Sequence, residues 1–411
     1  MRIGLLTTYL AVGDETDSGI GQHFRILADA LTTQGHEVEV FFLCDGETAT
    51  VVRRTLAVLA PGWTCTVVTA PLPGWLMRVG ARSWPFQMLL KHLALAWAGR
   101  RAVLARHQTG RFDVVETHSY NLPGLFLVSD RKRPPMLTRV STTTGQMVAI
   151  SPMRSRVLRW EAKLENFAIR QSDALVTHTR QHRDALGQQE GLDPARFAIV
   201  PHGIPDPGAP PPPAPNPAAG MEFLFVGRFE HRKGIDVLLA AIPLVAYACP
   251  TARFTLAGST GDGHDWAKFA ADHPGLLADS RVQSLGRVTS ERLPALYRRC
   301  DVMVAPSRYE SFGLIYVEAM SHAKPVIGCR AGGIPEVVTH GATGLLVAPG
   351  DVGALADSMI RLARDAGLRD RMGWAGRADF LARFSASTLA ANSIKLYQRI
   401  AGQSNPPGPL C

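Results

Sequence analysis

Val302-Met-Val-Ala305-Pro306-Ser307-Arg308-Tyr309-Glu310-Ser311-Phe312-Gly313-Leu314-Ile315-Tyr316-Val317-Glu318-Ala319-Met320 joins a short apolar strand to a helix through a polar loop with one glycine. A strand that hands over to a helix in this way is the repeating unit of a parallel sheet covered on both faces. Glu310 falls at the C-terminal end of the strand, where ligands of such sheets gather. Gly313 lets backbone N–H groups approach an anion at the helix start. Glu318, inside the helix, can point back at the same ligand, and a carboxylate placed so can accept two hydrogen bonds from the vicinal diol of a ribose.

Outward from this stretch the same alternation continues. Before it, strands are expected at Glu222–Val226, Arg253–Ala257 and Val282–Leu285, and after it at Pro325–Gly328 and Gly344–Val347. An earlier series covers Ile3–Thr7, Val38–Leu43, Thr66–Val68, Val114–Thr117, Met136–Val140, Ala174–Thr177 and Phe197–Val200. Several are continuous Val/Leu/Ile runs, as in strands buried on both faces. Helices lie between them, among them His23–Gln34, which ends at the C-cap glycine Gly35. The two series are separated by Pro205 to Gly220, too rich in proline for a helix or a central strand. The expected architecture is therefore α/β, with two Rossmann-like doubly wound parallel-sheet domains facing across a cleft. The N-terminal domain spans 1–204, a Pro-rich linker 205–220, and a C-terminal domain 221–385. An amphipathic helix over about 386–403 is expected to pack back on the first domain, and Asn405–Cys411 to fray.

Composition narrows the function classes. A chain of 411 residues, 46% hydrophobic and 19% charged, can bury two substantial cores. A net charge of +9 calls for an anionic partner, which nucleic acid, a membrane surface or a phosphorylated small molecule would satisfy. The six cysteines, at 44, 65, 249, 300, 329 and 411, show no CxxC spacing, so no structural zinc site is expected and buried thiols in a reducing cytoplasm are. The apolar N-terminal run is short and meets Asp14, Glu15 and Asp17, so it reads as a first strand and not a signal peptide. No stretch of about 20 uncharged apolar residues is present to span a bilayer.

Two further segments bear on the chemistry. Strand Glu222–Val226 runs into Gly227-Arg228-Phe-Glu-His-Arg-Lys233-Gly234, and two cations beside a helix start form a clamp for a pyrophosphate. Downstream, Gly332-Gly333-Ile-Pro335-Glu336 is a glycine-rich turn into a helix, with proline at a suitable first position.

Taken in order, Gly227-Arg228…Lys233-Gly234, Glu310-x₇-Glu318, Gly332-Gly333-Ile-Pro-Glu336 and Gly341-x-x-Gly344-Leu-Leu-Val-x-Pro-Gly350-Asp351 resemble glycosyltransferase family 4. These are retaining enzymes of the GT-B fold. The resemblance implies that Arg228 and Lys233 hold a donor diphosphate, and that Glu310 contacts the transferred sugar with the amides of Ser311, Phe312, Gly313 and Leu314. It implies that Glu318 holds the ribose, and that backbone near Arg287 and Val288 holds the base. In the first domain Ser18-Gly19-Ile20-Gly21 resembles the family's glycine-rich loop, with Gly19 or Gly21 as the close-approach residue. His118, at the end of strand Val114–Thr117, matches a histidine that lines the active site. A departure is Leu137-Thr-Arg139-Val-Ser141, where many relatives carry Thr-x-His; Arg139 or Ser141 is then expected on the acceptor side.

The implied reaction is transfer of a sugar, with retention, from a nucleotide-diphosphate donor to a hydroxyl acceptor (a glycan, a glycolipid or a small molecule). The leaving diphosphate takes the acceptor's proton, with no metal and no cofactor. UDP-sugars are favoured, and GDP-mannose is the alternative. Closure about the Pro-rich segment is expected to assemble the site. A nicotinamide-dependent dehydrogenase is disfavoured because no third glycine completes GxGxxG, and nucleic-acid binding because no stacking-plus-basic motif stands out. A non-catalytic nucleotide-sugar-binding subunit would keep the fold, but both glutamates and both cations are present, which argues for activity. Between Thr48 and Phe112 no acid occurs, while Arg53, Arg54, Arg78, Arg82, Lys91, Arg100, Arg101, Arg106 and Arg111 do, interleaved with Trp75, Trp84, Phe86 and Trp97. Such a stretch suits an anionic membrane surface or an anionic acceptor, and equally a helix whose cations snorkel into solvent. The expected location is cytoplasmic, with peripheral contact at the inner face of the cell membrane.

Overall fold

A computed structural model of the chain describes residues 1–11, 18–59, 61–71, 84–150, 155–209, 220–258, 274–277 and 279–402. Asp14, Glu15, Asp17, Trp75, Arg78, Arg82, residues 210–219 of the Pro-rich segment and the tail Asn405–Cys411 lie outside the described residues. The chain divides into two compact units, Met1–Gly203 with Ala386–Cys411, and Ile204–Ser385.

Among the described residues the first unit has seven strands: β1 (Arg2–Thr7), β2 (Glu37–Cys44), β3 (Thr64–Thr69), β4 (Val114–His118), β5 (Met136–Arg139), β6 (Ala174–Thr177) and β7 (Phe197–Ile199). They pair in the order β3-β2-β1-β4-β5-β6-β7, all parallel. The order reverses between β1 and β4, where Ile3 faces Val38 on one side and Val114 on the other. Helix Gly19–Thr33 follows β1, started by Ser18, whose Oγ accepts from the Gly21 amide, and closed before Gly35 at φ 83°. It buries Phe24, Leu27 and Leu31 in one cluster with Leu389, Ile394 and Tyr397 of the last helix, Ala386–Gly402. Burial of side chains of this size stabilises by about 1.5–3 kcal/mol each. The chain thus returns its C-terminal helix to the unit in which it began.

Among the described residues the second unit has six strands: β8 (Glu222–Val226), β9 (Arg253–Ala257), β10 (Val282–Gly286), β11 (Val302–Val304), β12 (Val326–Cys329) and β13 (Gly344–Val347). Their order is β10-β9-β8-β11-β12-β13, again all parallel. Here the order reverses between β8 and β11, so the loops after these two strands emerge side by side. Helices Ile235–Ala248 and Val352–Arg364 cover one face through Leu238, Ile242, Val245, Leu355 and Met359.

The cations of 53–111 are less free than the local sequence suggests. Lys91 pairs with Asp45 at 2.9 Å, Arg100 donates to Asp130 at 2.9 Å, and Arg106 pairs with Glu39 at 2.9 Å. Each acid lies outside the acid-free stretch and is brought in by the fold. Trp97 is half-exposed but rests edge-on against Phe126. Among the described residues no helix is long and apolar enough to cross a membrane.

Candidate active site

The loops after β8 and β11 meet through a glycine. Gly234 sits at φ 69°, and a Cβ there would lie 2.0 Å from the Pro306 carbonyl oxygen, so only glycine allows the two loops to touch. Arg308 locks the contact with two 2.7 Å bonds to the Asp236 carboxylate and one to the His231 carbonyl oxygen. Burial pushes the Asp236 carboxyl up, but the Arg308 pair prevails and holds it below the ordinary aspartate value.

This contact delivers Lys233 to Glu310. Lys233 Nζ lies 2.6 Å from Glu310 Oε1, which also accepts from Ser307 Oγ at 3.0 Å. Arg232 stands 3.5 Å from Glu310 Oε2 and pairs with Glu230 at 2.7 Å. Arg228, half-exposed, reaches the same Glu230 oxygen at 3.3 Å. Arg228, Arg232 and Lys233 are therefore strung together by Glu230 and Glu310. The three cations outnumber the two carboxylates, which leaves a surplus positive charge at the C-terminal end of β8. Arg232 and Glu230 were not singled out from the sequence. Their nearness to the two marked cations within Gly227–Gly234 was the available signal.

The backbone of Glu310 is fixed from the far side. Its carbonyl accepts from the Gly333 amide at 2.8 Å, and a Cβ on Gly332, at φ 53°, would lie 2.1 Å from that oxygen. Gly313, at φ 93°, caps helix Leu314–Ser321, whose first amides have no partners within the helix by geometry. Phe312 is buried against Phe384, while Ser311 and Leu314 remain partly accessible. Glu318 is half-buried and accepts from the Tyr297 hydroxyl at 2.6 Å; the Tyr297 ring stacks on His322. Burial pushes the Glu318 carboxyl up, against the Tyr297 hydrogen bond and the nearby Lys233. Arg287 is exposed and Val288 partly buried, just past Gly286 at the end of β10. The second unit thus gathers Arg228, Lys233, Glu310, Gly313 and Glu318 around one sheet reversal.

In the first unit Gly21 is the glycine in close approach: a Cβ there would lie 3.1 Å from the Ala11 amide nitrogen, whereas Gly19 faces open space. His118 closes β4 and is 2% exposed. Its Nε2 accepts from the Thr8 amide at 3.1 Å, which places the ring proton on Nδ1. Burial drives its pKa down to about 3, so the ring is neutral near pH 7. The next turn carries Asn121 and Leu122 at φ 61°, an uncommon conformation for a leucine, with Asn121 donating to the Tyr9 hydroxyl.

Arg139, read above as an acceptor-side group, points inward. It is 2% exposed and pairs with Glu116 Oε1 at 2.7 Å; Glu116 Oε2 accepts from Tyr397 of the last helix. A buried carboxylate needs such partners. Burial is the largest single influence and raises the Glu116 pKa, but Arg139, His23 and Tyr397 together outweigh it and the net value falls to about 2. Ser141 stands half-buried beyond the end of β5.

Two all-parallel doubly wound units, with cations and carboxylates gathered at the sheet reversal of the second, are the architecture of the GT-B fold. A model described as Glycosyltransferase Family 4 matches residues 18–206, and one described as Glycosyl transferases group 1 matches 220–365. D-inositol 3-phosphate glycosyltransferase of Mycobacterium bovis BCG is 30% identical over 429 residues, covering 98% of this chain and 84% of its own. Glycogen synthase of Mycobacterium tuberculosis is 28% identical over 395 residues, 95% of this chain and 93% of that one. A phosphatidyl-myo-inositol mannosyltransferase of Mycobacterium leprae is 28% identical over 407 residues, 98% and 97% of the two chains. Among solved structures, sucrose-phosphate synthase from Thermosynechococcus elongatus superposes with a TM-score of 0.73 at 23% identity, covering 98% of this chain and 100% of that one. HepE of Anabaena, solved with UDP and glucose, gives 0.67 at 20% identity, covering 97% and 99%. The chain belongs to glycosyltransferase family 4.

Proposed function

We propose that this glycosyltransferase takes a hexose from a nucleotide-diphosphate sugar, a UDP-sugar in preference to GDP-mannose, and gives it to a hydroxyl acceptor with retention of configuration. The observation that carries the reading is the row Arg228–Glu230–Arg232–Glu310–Lys233, in which a surplus of positive charge adjoins a carboxylate at the sheet reversal. Cations set there can neutralise a departing diphosphate, the task a metal ion performs elsewhere. In the proposed step the bond from the anomeric carbon to the diphosphate oxygen breaks as the acceptor oxygen bonds to the same face. The acceptor's proton passes to the departing diphosphate, Glu310 orients the sugar, and Glu318 accepts from the ribose hydroxyls. The HepE complex with UDP and glucose supports a uridine donor by analogy of fold, and the mannosyltransferase relative keeps GDP-mannose as the competitor.

Calorimetric titration with UDP-glucose, UDP-N-acetylglucosamine and GDP-mannose tests the donor. The expected result is tight binding of one UDP-sugar in excess EDTA, followed by turnover giving a product of the donor's own anomeric configuration by NMR. Binding of none of the three, or turnover that stops in EDTA and returns with Mn²⁺, overturns the reading.

A further inference from the structure

Helix Arg156–Gln171 of the first unit is amphipathic in reverse. Its two carboxylates face inward: Glu161 is 3% exposed and bonded to His92 Nδ1 at 2.6 Å, and Glu165 is 1% exposed and accepts from the Thr144 amide at 2.7 Å. Its exposed residues include Arg156, Arg159, Trp160, Lys163, Phe167 and Arg170. At 100° per residue these six fall within about 100° of one another around the helix axis. One face therefore carries four cations and two aromatics and no acid. Trp160 is 62% exposed and Phe167 45%, which is large for residues that usually bury most of their surface. Lys163 Nζ sits 4.9 Å from the Trp160 ring, so the cation and the aromatic are already mutually oriented.

Beside this face lies a hollow of about 430 Å³ lined by Ala162, Lys163, Asn166, Phe167, Arg170 and, from the neighbouring helix, Glu190. Glu190 is engaged: it accepts from Thr143 at 2.6 Å and from Asn166 at 3.4 Å. Arg170 is held beside Glu190 by bonds to the carbonyl oxygens of Glu190 and Gly191. The hollow is large enough for a phosphate headgroup.

We propose that the exposed face of helix Arg156–Gln171 docks this enzyme on an anionic phospholipid surface. Trp160 and Phe167 enter the headgroup boundary, and Arg156, Arg159, Lys163 and Arg170 meet lipid phosphates. Tryptophan at the interface together with cations on one helix face is the composition that an anionic bilayer selects. A soluble polyanion would use the cations and leave two exposed aromatics without a role. The stretch 53–111, where the sequence alone located basic character, is the weaker candidate, because Lys91, Arg100 and Arg106 are paired with acids.

The test uses the whole chain and vesicles of phosphatidylcholine, with or without about one third phosphatidylglycerol, in a sedimentation assay at low and high salt. Expected is binding to the anionic vesicles alone, weakened by salt. The combined variant R156E/R159E/K163E should lower the partition coefficient about a hundredfold, on the basis of each cation's usual contribution near an anionic surface. W160S/F167S should lower it about tenfold or more. R53E/R54E, on exposed positions of helix Gly46–Leu59, should leave it within about twofold. Thermal unfolding of each variant checks the fold independently of any nucleotide, so failure of the donor reading leaves this test intact. Absence of salt-sensitive binding, or binding untouched by R156E/R159E/K163E, overturns the proposal. So does binding of soluble polyphosphate as tight as that of vesicles and indifferent to W160S/F167S, which would reassign the face to a soluble polyanion.

Discussion

Lys233 and Glu310 stand 77 positions apart in the chain, yet Nζ and Oε1 are 2.6 Å from each other. The pair exists because β8 and β11 are neighbours and Gly234 lets their loops touch. A nucleoside diphosphate would compete with Glu310 for the ammonium group, so the two residues are expected to respond differently to substitution.

Lys233→Ala removes a charge-assisted contact of the kind worth about 1.5–3 kcal/mol, or roughly 10- to 100-fold in affinity. Calorimetry with UDP alone should show that loss. Glu310→Gln should leave UDP affinity unchanged or slightly improved, because Lys233 is released, while turnover falls at least about a hundredfold. Equal weakening of UDP by both substitutions would remove the division of labour assigned to the pair.

Gly332→Ala should do more harm than its size suggests. The new methyl group would press on the Glu310 carbonyl oxygen at 2.1 Å in a backbone conformation unfavourable to alanine. A destabilisation above about 2 kcal/mol with loss of turnover is expected. Gly341→Ala is the control, since Gly341 also has positive φ, at 81°, but nothing stands within 4 Å of its Cβ; about 1 kcal/mol of strain and retained turnover should result. Matching thermal midpoints and turnover for the two variants would discard the packing argument.

Strand positions were legible in the sequence, because parallel strands buried on both faces leave continuous apolar runs. Thr64–Thr69 was read two residues short at its start and one at its end, since threonine and cysteine blur the border. The pairing between distant loops was not legible. Arg308 with Asp236, Tyr297 with Glu318, and Arg139 with Glu116 and Tyr397 all depend on which strands become neighbours. A motif marks the residue that meets the ligand and is silent on the one that holds it. Arg139 shows the cost of this: a cation at a strand end looks available until Glu116, buried one strand away, is known to need it. The face of helix Arg156–Gln171 can be read from its spacing only once Glu161 and Glu165 are known to face inward, which depends on His92 and Thr144 from other elements.

Tyr297→Phe should isolate the role of Glu318. The substitution removes one hydroxyl donor to Oε2 and keeps the ring that stacks on His322. Without that donor the carboxylate is less well held, and affinity for UDP should fall about three- to tenfold. Affinity for 2′-deoxy-UDP should change much less, because the ribose diol is the partner Glu318 would serve. A uniform loss for both nucleotides would show that Tyr297 acts on the fold and not on ribose recognition.

Glu165 makes stability depend on pH in a direction opposite to most carboxylates. Burial pushes its pKa from 4.5 up to about 7, against the hydrogen bonds from Thr144. The folded chain therefore holds a proton that the unfolded chain has released between these values. That contribution is fully present below pH 4.5 and is lost as pH rises through about 7. Glu165→Gln can still accept from the Thr144 amide but carries no charge at any pH. Relative to the parent, the variant should gain on the order of 2 kcal/mol between pH 5 and pH 8. Thermal or urea unfolding of both proteins across that range measures the difference directly. A stability gap that stays constant from pH 5 to pH 8 would mean that Glu165 is ionised in the folded chain throughout, and that its burial is compensated by more than Thr144.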